Sequence, residues 1–300
     1  MFTGCGTALV TPFRRDQSLD EETLRKLVRR QIDAGINFLV PCGTTGESPT
    51  LTRAEHLRVV EITLEEAKGS KTPVLAGAGG YHTHEVVELA RELERMGADG
   101  ILSVTPYYNK PTPEGLYQHY KAIASAIHIP IVVYSIQGRT GINIEPATLA
   151  RLAEIDNIIG VKEASGNIAQ MANILHLLPP PEFTVLCGDD AITIPLMALG
   201  GRGVVSVVSN QIPAEMTRLA QSCLRGDFET ARQIQARYLP LMNVNFVEAN
   251  PIPVKAGMAL MGLLEPVYRL PMCPPSDGNL SRIEQVLDSV GMLRGVRVAG

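Results

Sequence analysis

Lys162 is the residue best placed for chemistry in this chain: it ends the short apolar run Ile158-Ile159-Gly160-Val161-Lys162. The other lysines (Lys26, Lys68, Lys71, Lys110, Lys121 and Lys255) fall in helical patterns or polar loops. The run reads as a buried strand, and an ammonium buried at its end has to be paired or have its pKa lowered. A lysine with a lowered pKa is an amine nucleophile, able to form a Schiff base with a carbonyl compound. The competing reading is a lysine that lays its stem along the strand and carries its charge out to solvent. Side chains alternate, so Gly160 and Lys162 share one face and Val161 and Glu163 the other. The missing side chain of Gly160 then predicts open space beneath the amine.

Tyr134 ends a second apolar run, 131–134, and Gly43-Thr44-Thr45-Gly46-Glu47 follows a third, 37–41. Two glycines framing two hydroxyls offer backbone N–H and side-chain O–H donors to a carboxylate. Alone, the same segment is an ordinary glycine-rich turn. Brought together, these residues describe a pocket for a small 2-oxo acid. It has an amine for the ketone, a phenol for proton transfer and donors for the carboxylate.

The elements that must position them follow a repeat. Apolar runs at 7–11, 37–41, 74–77, 100–104, 131–134, 158–162, 184–187 and 203–207 recur about every 30 residues. They are continuous rather than alternating, as in parallel strands covered on both faces. Helical patterns lie between them. Asp20 precedes an apolar face of Leu24, Leu27, Val28 and Ile32 that stops at Gly35. Thr52-Arg53-Ala54-Glu55 fits a capping box, and Thr83 opens a helix that stops near Gly97. This order predicts an α/β fold, a (β/α)8 TIM barrel whose active site lies at the C-terminal ends of the strands. The rival is a doubly wound open sheet, which would often carry a Gly-rich turn after the first strand; here that turn is Pro12-Phe13-Arg14-Arg15. The barrel is assigned to residues 1–225. Helical patterns at 228–242, 253–263 and 281–292 assign 226–300 to a C-terminal helical region packed on it.

Bulk properties narrow the function. The 300 residues are 45% hydrophobic and 19% charged with a net charge of -4, and there is no basic run or basic helix face, which argues against a nucleic-acid partner. No apolar stretch is long enough to span a bilayer, and Met1-Phe2-Thr3-Gly4-Cys5 lacks the basic start of a signal peptide. Five scattered cysteines without zinc spacing read as free thiols, and the expected location is cytoplasmic. His82 and His84 have H-x-H spacing but no matching ligands at other strand ends, so no metal and no cofactor is expected. Gly188-Asp189-Asp190 puts two acids where barrels of this kind often hold a phosphate, against a sugar-phosphate substrate.

These residues, with Thr105-Pro106-Tyr107-Tyr108-Asn109-Lys110-Pro111, Arg139-Thr140-Gly141, Gly160 to Gly166, and Asn250-Pro251-Ile252-Pro253-Val254-Lys255, resemble the dihydrodipicolinate synthase / N-acetylneuraminate lyase family over nearly the whole chain. Members are pyruvate-dependent class I aldolases. Arg139 and the paired threonines point to the synthase branch. That branch condenses pyruvate with L-aspartate 4-semialdehyde to 4-hydroxy-tetrahydrodipicolinate, on the way to diaminopimelate and lysine. The alternatives are a neuraminate lyase or a 2-keto-3-deoxy-sugar-acid aldolase on the same fold, or a binding protein that keeps the barrel without turnover.

The resemblance implies roles. Lys162 forms the imine and Tyr134 carries protons. Thr45 links Tyr134 to Tyr108 of a neighbouring subunit. Thr44 and Thr45 hold the pyruvate carboxylate, Arg139 binds the semialdehyde carboxylate, and the carbonyl of Val205 and the region around Gly188 match other pocket positions. It also implies a homotetramer, a dimer of dimers sharing Tyr108 across an interface, and a possible lysine site at Ser48, His56, Glu85 and Tyr107. Two departures stand out. The family pattern Tyr-Asn-Val-Pro-x-Arg is here Tyr134-Ser135-Ile136-Gln137-Gly138-Arg139; without the proline, φ before Arg139 is less constrained. Tyr81 and Arg53 also stand where lysine-inhibited members differ, so lysine inhibition is expected to be weak or absent.

Overall fold

The computed structural model describes residues 2–293. Eight parallel strands alternate with helices: β1 (Gly4–Ala8), α1 (Glu21–Asp33), β2 (Phe38–Val40), α2 (Arg53–Ala67), β3 (Leu75–Gly77), α3 (Thr83–Met96), β4 (Gly100–Val104), α4 (Pro113–Ala124) and β5 (Ile131–Ser135). The single-turn α5 (Gln137–Thr140) and α6 (Pro146–Ala153) lead to β6 (Ile158–Glu163), α7 (Ile168–Leu177), β7 (Thr184–Cys187), α8 (Thr193–Ala198), β8 (Gly203–Ser206) and α9 (Pro213–Leu224). Three more helices follow: α10 (Phe228–Val244), α11 (Ile252–Leu260) and α12 (Asp277–Ser289). The strand order is β2-β1-β8-β7-β6-β5-β4-β3. The ends of this series meet: Leu39 pairs with Val74, the Leu39 N–H donates to Pro73 O at 2.9 Å, and the Gly77 N–H donates to Pro41 O at 2.9 Å. The sheet is therefore a barrel, and the open doubly wound alternative is excluded.

Each strand is buried on both faces. Inside the barrel, Phe2, Phe38, Leu75, Val132, Leu186 and Val205 pack together, with Phe2 edge-on to Phe38 at 5.7 Å. The outward-facing residues join the helices in a second, larger core that also takes in Leu241, Ile283 and Leu287 of α10 and α12. The local signals behave as their chemistry requires. Asp20 caps α1 through Thr23 N (3.1 Å). Thr52 and Glu55 form the reciprocal capping box of α2, and α3 ends at Gly97, whose φ of +89° suits glycine.

Two expectations need correction. First, β1 begins at Gly4 rather than residue 7. Gly4 and Gly6 broke the apolar signal, yet a Cβ on Gly6 would sit 2.1 Å from the Phe38 ring, so only glycine fits there. Second, the space expected beneath Lys162 is absent. A Cβ on Gly160 would lie 2.4 Å from Thr184 O: the glycine lets β7 approach β6 rather than opening a pocket. On the barrel-facing side of α1, Gln31 is buried with Leu24, Leu27 and Val28, and Ile32 is only partly buried. Gln31 accepts from Thr7 Oγ1 (2.6 Å) and donates to Ser209 O (3.0 Å), which satisfies both ends of its amide.

The C-terminal helices are tied to the barrel mouth by a buried ion pair. Lys255 Nζ in α11 meets Glu47 Oε1 at 2.6 Å, with side-chain exposures of 0% and 1%. The ammonium also lies over the Phe13 ring at 4.5 Å and the Tyr268 ring at 5.4 Å. Burial pulls its pKa down while the carboxylate opposes that shift. Removing one partner strands the other charge in the interior. Lys255→Ala should therefore cost about 3–5 kcal/mol in urea unfolding, and Glu47→Gln combined with Lys255→Met should recover most of it. A single-variant cost under about 1 kcal/mol would show that the pair is not a structural tie.

Candidate active site

β5 and β6 run side by side with Tyr134 paired to Lys162. Both side chains point into the barrel near the C-terminal ends of their strands, and the Lys162 Nζ sits 4.2 Å from the centre of the Tyr134 ring. Lys162 is only 5% exposed, and among the described residues no carboxylate forms an ion pair with it. Behind the pair, on the helix side, the buried Glu163 closes the turn after β6. Its Oε1 accepts from Ser165 N (2.6 Å) and its Oε2 from Gln170 Nε2 (3.0 Å). Gln170 exchanges two further hydrogen bonds with Asn143 at 2.7 and 3.1 Å. The strand ends carrying the phenol and the amine are thus fixed from outside as well as within.

The floor of a cavity of about 40 Å³ is made by strand-end residues Ala8, Val40, Leu102, Tyr134 and Lys162. Its rim holds Thr44, Thr45, Ile136, Arg139, Gly188, Val207, Phe246 and Asn250. The segment after β2 is wound tightly. Cys42 and Glu47, on either side of the threonines, have φ of +55° and +53°, unusual for residues with a Cβ. The N–H groups of Gly46, Glu47 and Ser48 are spent on carbonyls of Gly43 and Thr44. The N–H groups of Thr44 and Thr45 have no partner among the described residues, which leaves two adjacent donors at the cavity rim for an anion.

Arg139 comes from α5, the turn that replaces the proline-containing pattern. Thr140 Oγ1 donates to Ile136 O (2.9 Å) or to Ile142 O (3.0 Å), and Gly141 ends the turn with φ of +75°. Arg139 Nη2 donates to Asn250 O at 3.0 Å. A helical turn and a tertiary hydrogen bond therefore supply the constraint that proline would have given.

Not every residue singled out from the sequence lies in this cavity. Tyr108 is 90% exposed, with φ of +68°, and does not line it. The Val205 side chain belongs to the packed barrel interior, which leaves its carbonyl as the group that the resemblance assigns to the pocket, and Val207 also lines the rim. A cavity of about 300 Å³ adjoins, sharing Thr44, Tyr134 and Arg139 and extending to Ser48, His56 and Tyr107. Beyond it, His56, Glu85 and Tyr107 line a space of about 260 Å³ with Arg53 and Tyr81. There Tyr81 stands edge-on to Tyr107 at 5.1 Å, and Arg53 pairs with Glu92 at 2.9 Å. Burial pushes His56 down to about 4, and its Nε2 is 2.9 Å from Gly77 O, so it is neutral at pH 7. His82 contacts Glu85 at 3.1 Å at the start of α3 rather than other potential ligands. A separate cavity of about 620 Å³ lies at the other end of the barrel around Pro73, Gly97 and Asp99 and is lined by none of these residues.

Asn250 and Phe246, from the segment between α10 and α11, went unrecognised as cavity residues. Asn250 stood in a motif noted for its resemblance, but no periodicity links residue 250 to a strand end near residue 40. The helical pattern around Lys255 does not reveal that its side chain is buried on all sides.

A model of the dihydrodipicolinate synthetase family matches residues 1–290. The chain is 52% identical over 297 residues to the 4-hydroxy-tetrahydrodipicolinate synthase of Koribacter versatilis, covering 99% of this chain and 98% of that one. The structure superimposes on dihydrodipicolinate synthase from Thermotoga maritima with a TM-score of 0.95 at 45% identity, covering 98% of this chain and 100% of that one. It also matches a chloride-inhibited dihydrodipicolinate synthase from Acinetobacter baumannii complexed with pyruvate, with a TM-score of 0.95 at 39% identity over 97% and 100% of the two chains. A match to the family model over residues 1–290, a relative at half identity and a shared barrel leave one conclusion: the chain belongs to the dihydrodipicolinate synthetase family.

Proposed function

We propose that this chain condenses pyruvate with L-aspartate 4-semialdehyde through a Schiff base on Lys162, giving 4-hydroxy-tetrahydrodipicolinate for diaminopimelate and lysine synthesis. The observation that carries the reading is the buried amine beside the Tyr134 phenol at the floor of a cavity rimmed by unspent donors. The relatives named as synthases and the pyruvate complex of the Acinetobacter enzyme support the choice of substrates.

Lys162 attacks the pyruvate ketone, and the resulting carbinolamine loses water to an imine. The imine's positive charge accepts the electron pair when a methyl proton leaves, and the enamine so formed adds to the aldehyde. Cyclisation through the semialdehyde amine then frees Lys162. Tyr134 donates to the departing oxygen and moves the methyl proton. Thr44 and Thr45 hold the pyruvate carboxylate, Gly188 lines the rim, and Arg139 holds the carboxylate of the aldehyde as a two-pronged fork.

Tyr108 completes a relay through Thr45 to Tyr134 from a neighbouring subunit. Its exposure here supports that reading, since a phenol so far out is available to a second copy. The assembly is a homotetramer, a dimer of dimers. Residues 1–225 carry the catalytic side chains, and 226–293 brace the mouth; the rest of the C-terminal region, 294–300, lies outside the described residues. No described helix is long and apolar enough to cross a membrane. The free cysteines support a cytoplasmic location.

Borohydride added with pyruvate should trap one pyruvate on the protein, and Lys162→Ala should lose both the adduct and nearly all turnover. An adduct that survives in that variant would remove Lys162 from the mechanism. Arg139→Ala should raise KM for the semialdehyde at least tenfold while leaving trapping intact; loss of trapping would mean that Arg139 serves pyruvate instead. With Tyr81 and Arg53 crowding and charging the cavity near Glu85, lysine should inhibit weakly or not at all, and clear inhibition below about 1 mM would overturn that expectation.

A further inference from the structure

Asn250 touches both halves of the substrate site. Its Nδ2 donates to Thr45 Oγ1 at 2.9 Å, and its carbonyl oxygen accepts from Arg139 Nη2 at 3.0 Å. The residue is 4% exposed and lines the same cavity as Lys162, Tyr134 and Thr45. A hydroxyl has one proton to give and two lone pairs to receive with. Here one lone pair is occupied by the Asn250 amide. Thr45 makes no other side-chain hydrogen bond among the described residues, so its proton remains unspent.

We propose that Asn250 is a positioning residue that aims the Thr45 hydroxyl proton into the cavity that Tyr134 also lines. The proposal rests on the Schiff-base reading above. By approaching as a donor, the amide prevents Thr45 from turning its proton outward and keeps it available to the phenol. Asn250 itself touches no reacting atom. Its backbone carbonyl holds Arg139, so one residue sets the direction of the relay and the position of the arginine together.

The polarity of the contact gives a test that separates aiming from filling space. Asn250→Asp keeps the shape but turns the donor into an acceptor that captures the Thr45 proton. Asn250→Ala loses the shape but leaves the proton free. The readout is exchange of pyruvate methyl protons with deuterated solvent, which needs enamine formation but no aldehyde. The aspartate variant should exchange on the order of 100-fold more slowly than the parent, and the alanine variant about tenfold more slowly. Exchange by the aspartate variant equal to or faster than that of alanine would overturn the proposal.

If Asn250→Asp does not fold, Asn250→Ala is combined with Thr45→Val. The asparagine change should then cost nothing beyond the threonine change, whereas independent, additive losses would overturn the proposal. A parent protein that traps no pyruvate would sink the Schiff-base reading. A parent that traps and exchanges normally, with the opposite order of variants, would sink only the role of Asn250.

Discussion

The pairing register of β4, β5, β6 and β7 decides whether this barrel has a reactive centre. Val104 pairs with Tyr134, Tyr134 with Lys162 and Lys162 with Leu186. A slip of one residue along β6 would send Lys162 out among the helices and bring Glu163 into the barrel. Two constraints oppose it. The outward neighbours Val133 and Val161 are fully buried in the helix-side core. Gly160 is the residue at which β7 comes close enough that no Cβ fits. The hydrogen bonds of Glu163 then fasten the strand end from outside. The amine and phenol are neighbours because the strand pairing requires it, before any substrate arrives.

The opposite wall depends on residues far apart in sequence. Between Cys42 and Glu47, two left-handed residues with side chains bend the chain so that Thr44 and Thr45 face the cavity. Such conformations cost on the order of 1–3 kcal/mol each and persist only where surrounding contacts hold them. Much of that holding comes from residues 250–255. Asn250 binds Thr45, and Lys255 binds the buried carboxylate of Glu47. The C-terminal helices are therefore part of the site's construction, even though the reacting groups come from the barrel strands.

The barrel was legible because each parallel strand announces itself as an apolar run, and Lys162 and Tyr134 stood out as polar residues ending such runs. The start of β1 was hidden because its close packing demands glycines, which carry no apolar signal. The meaning of Gly160 was misread for a related reason: a missing side chain looks the same in sequence whether the space is empty or filled by a neighbouring strand. Asn250 and Lys255 were not legible as site or core residues, since their partners lie some 200 positions away. The loss of a proline before Arg139 was visible, but the helical turn and Asn250 contact that replace it were not.

The most direct measurement is turnover of pyruvate with L-aspartate 4-semialdehyde, coupled through dihydrodipicolinate reductase to NADPH oxidation. Rapid oxidation that requires both substrates is the expected result. The contradicting result is no oxidation from a protein that still traps pyruvate on Lys162. That outcome would keep the Schiff-base chemistry, remove the semialdehyde as partner and turn attention to sugar-acid aldehydes and the Ser135-Ile136-Gln137-Gly138 segment ahead of Arg139.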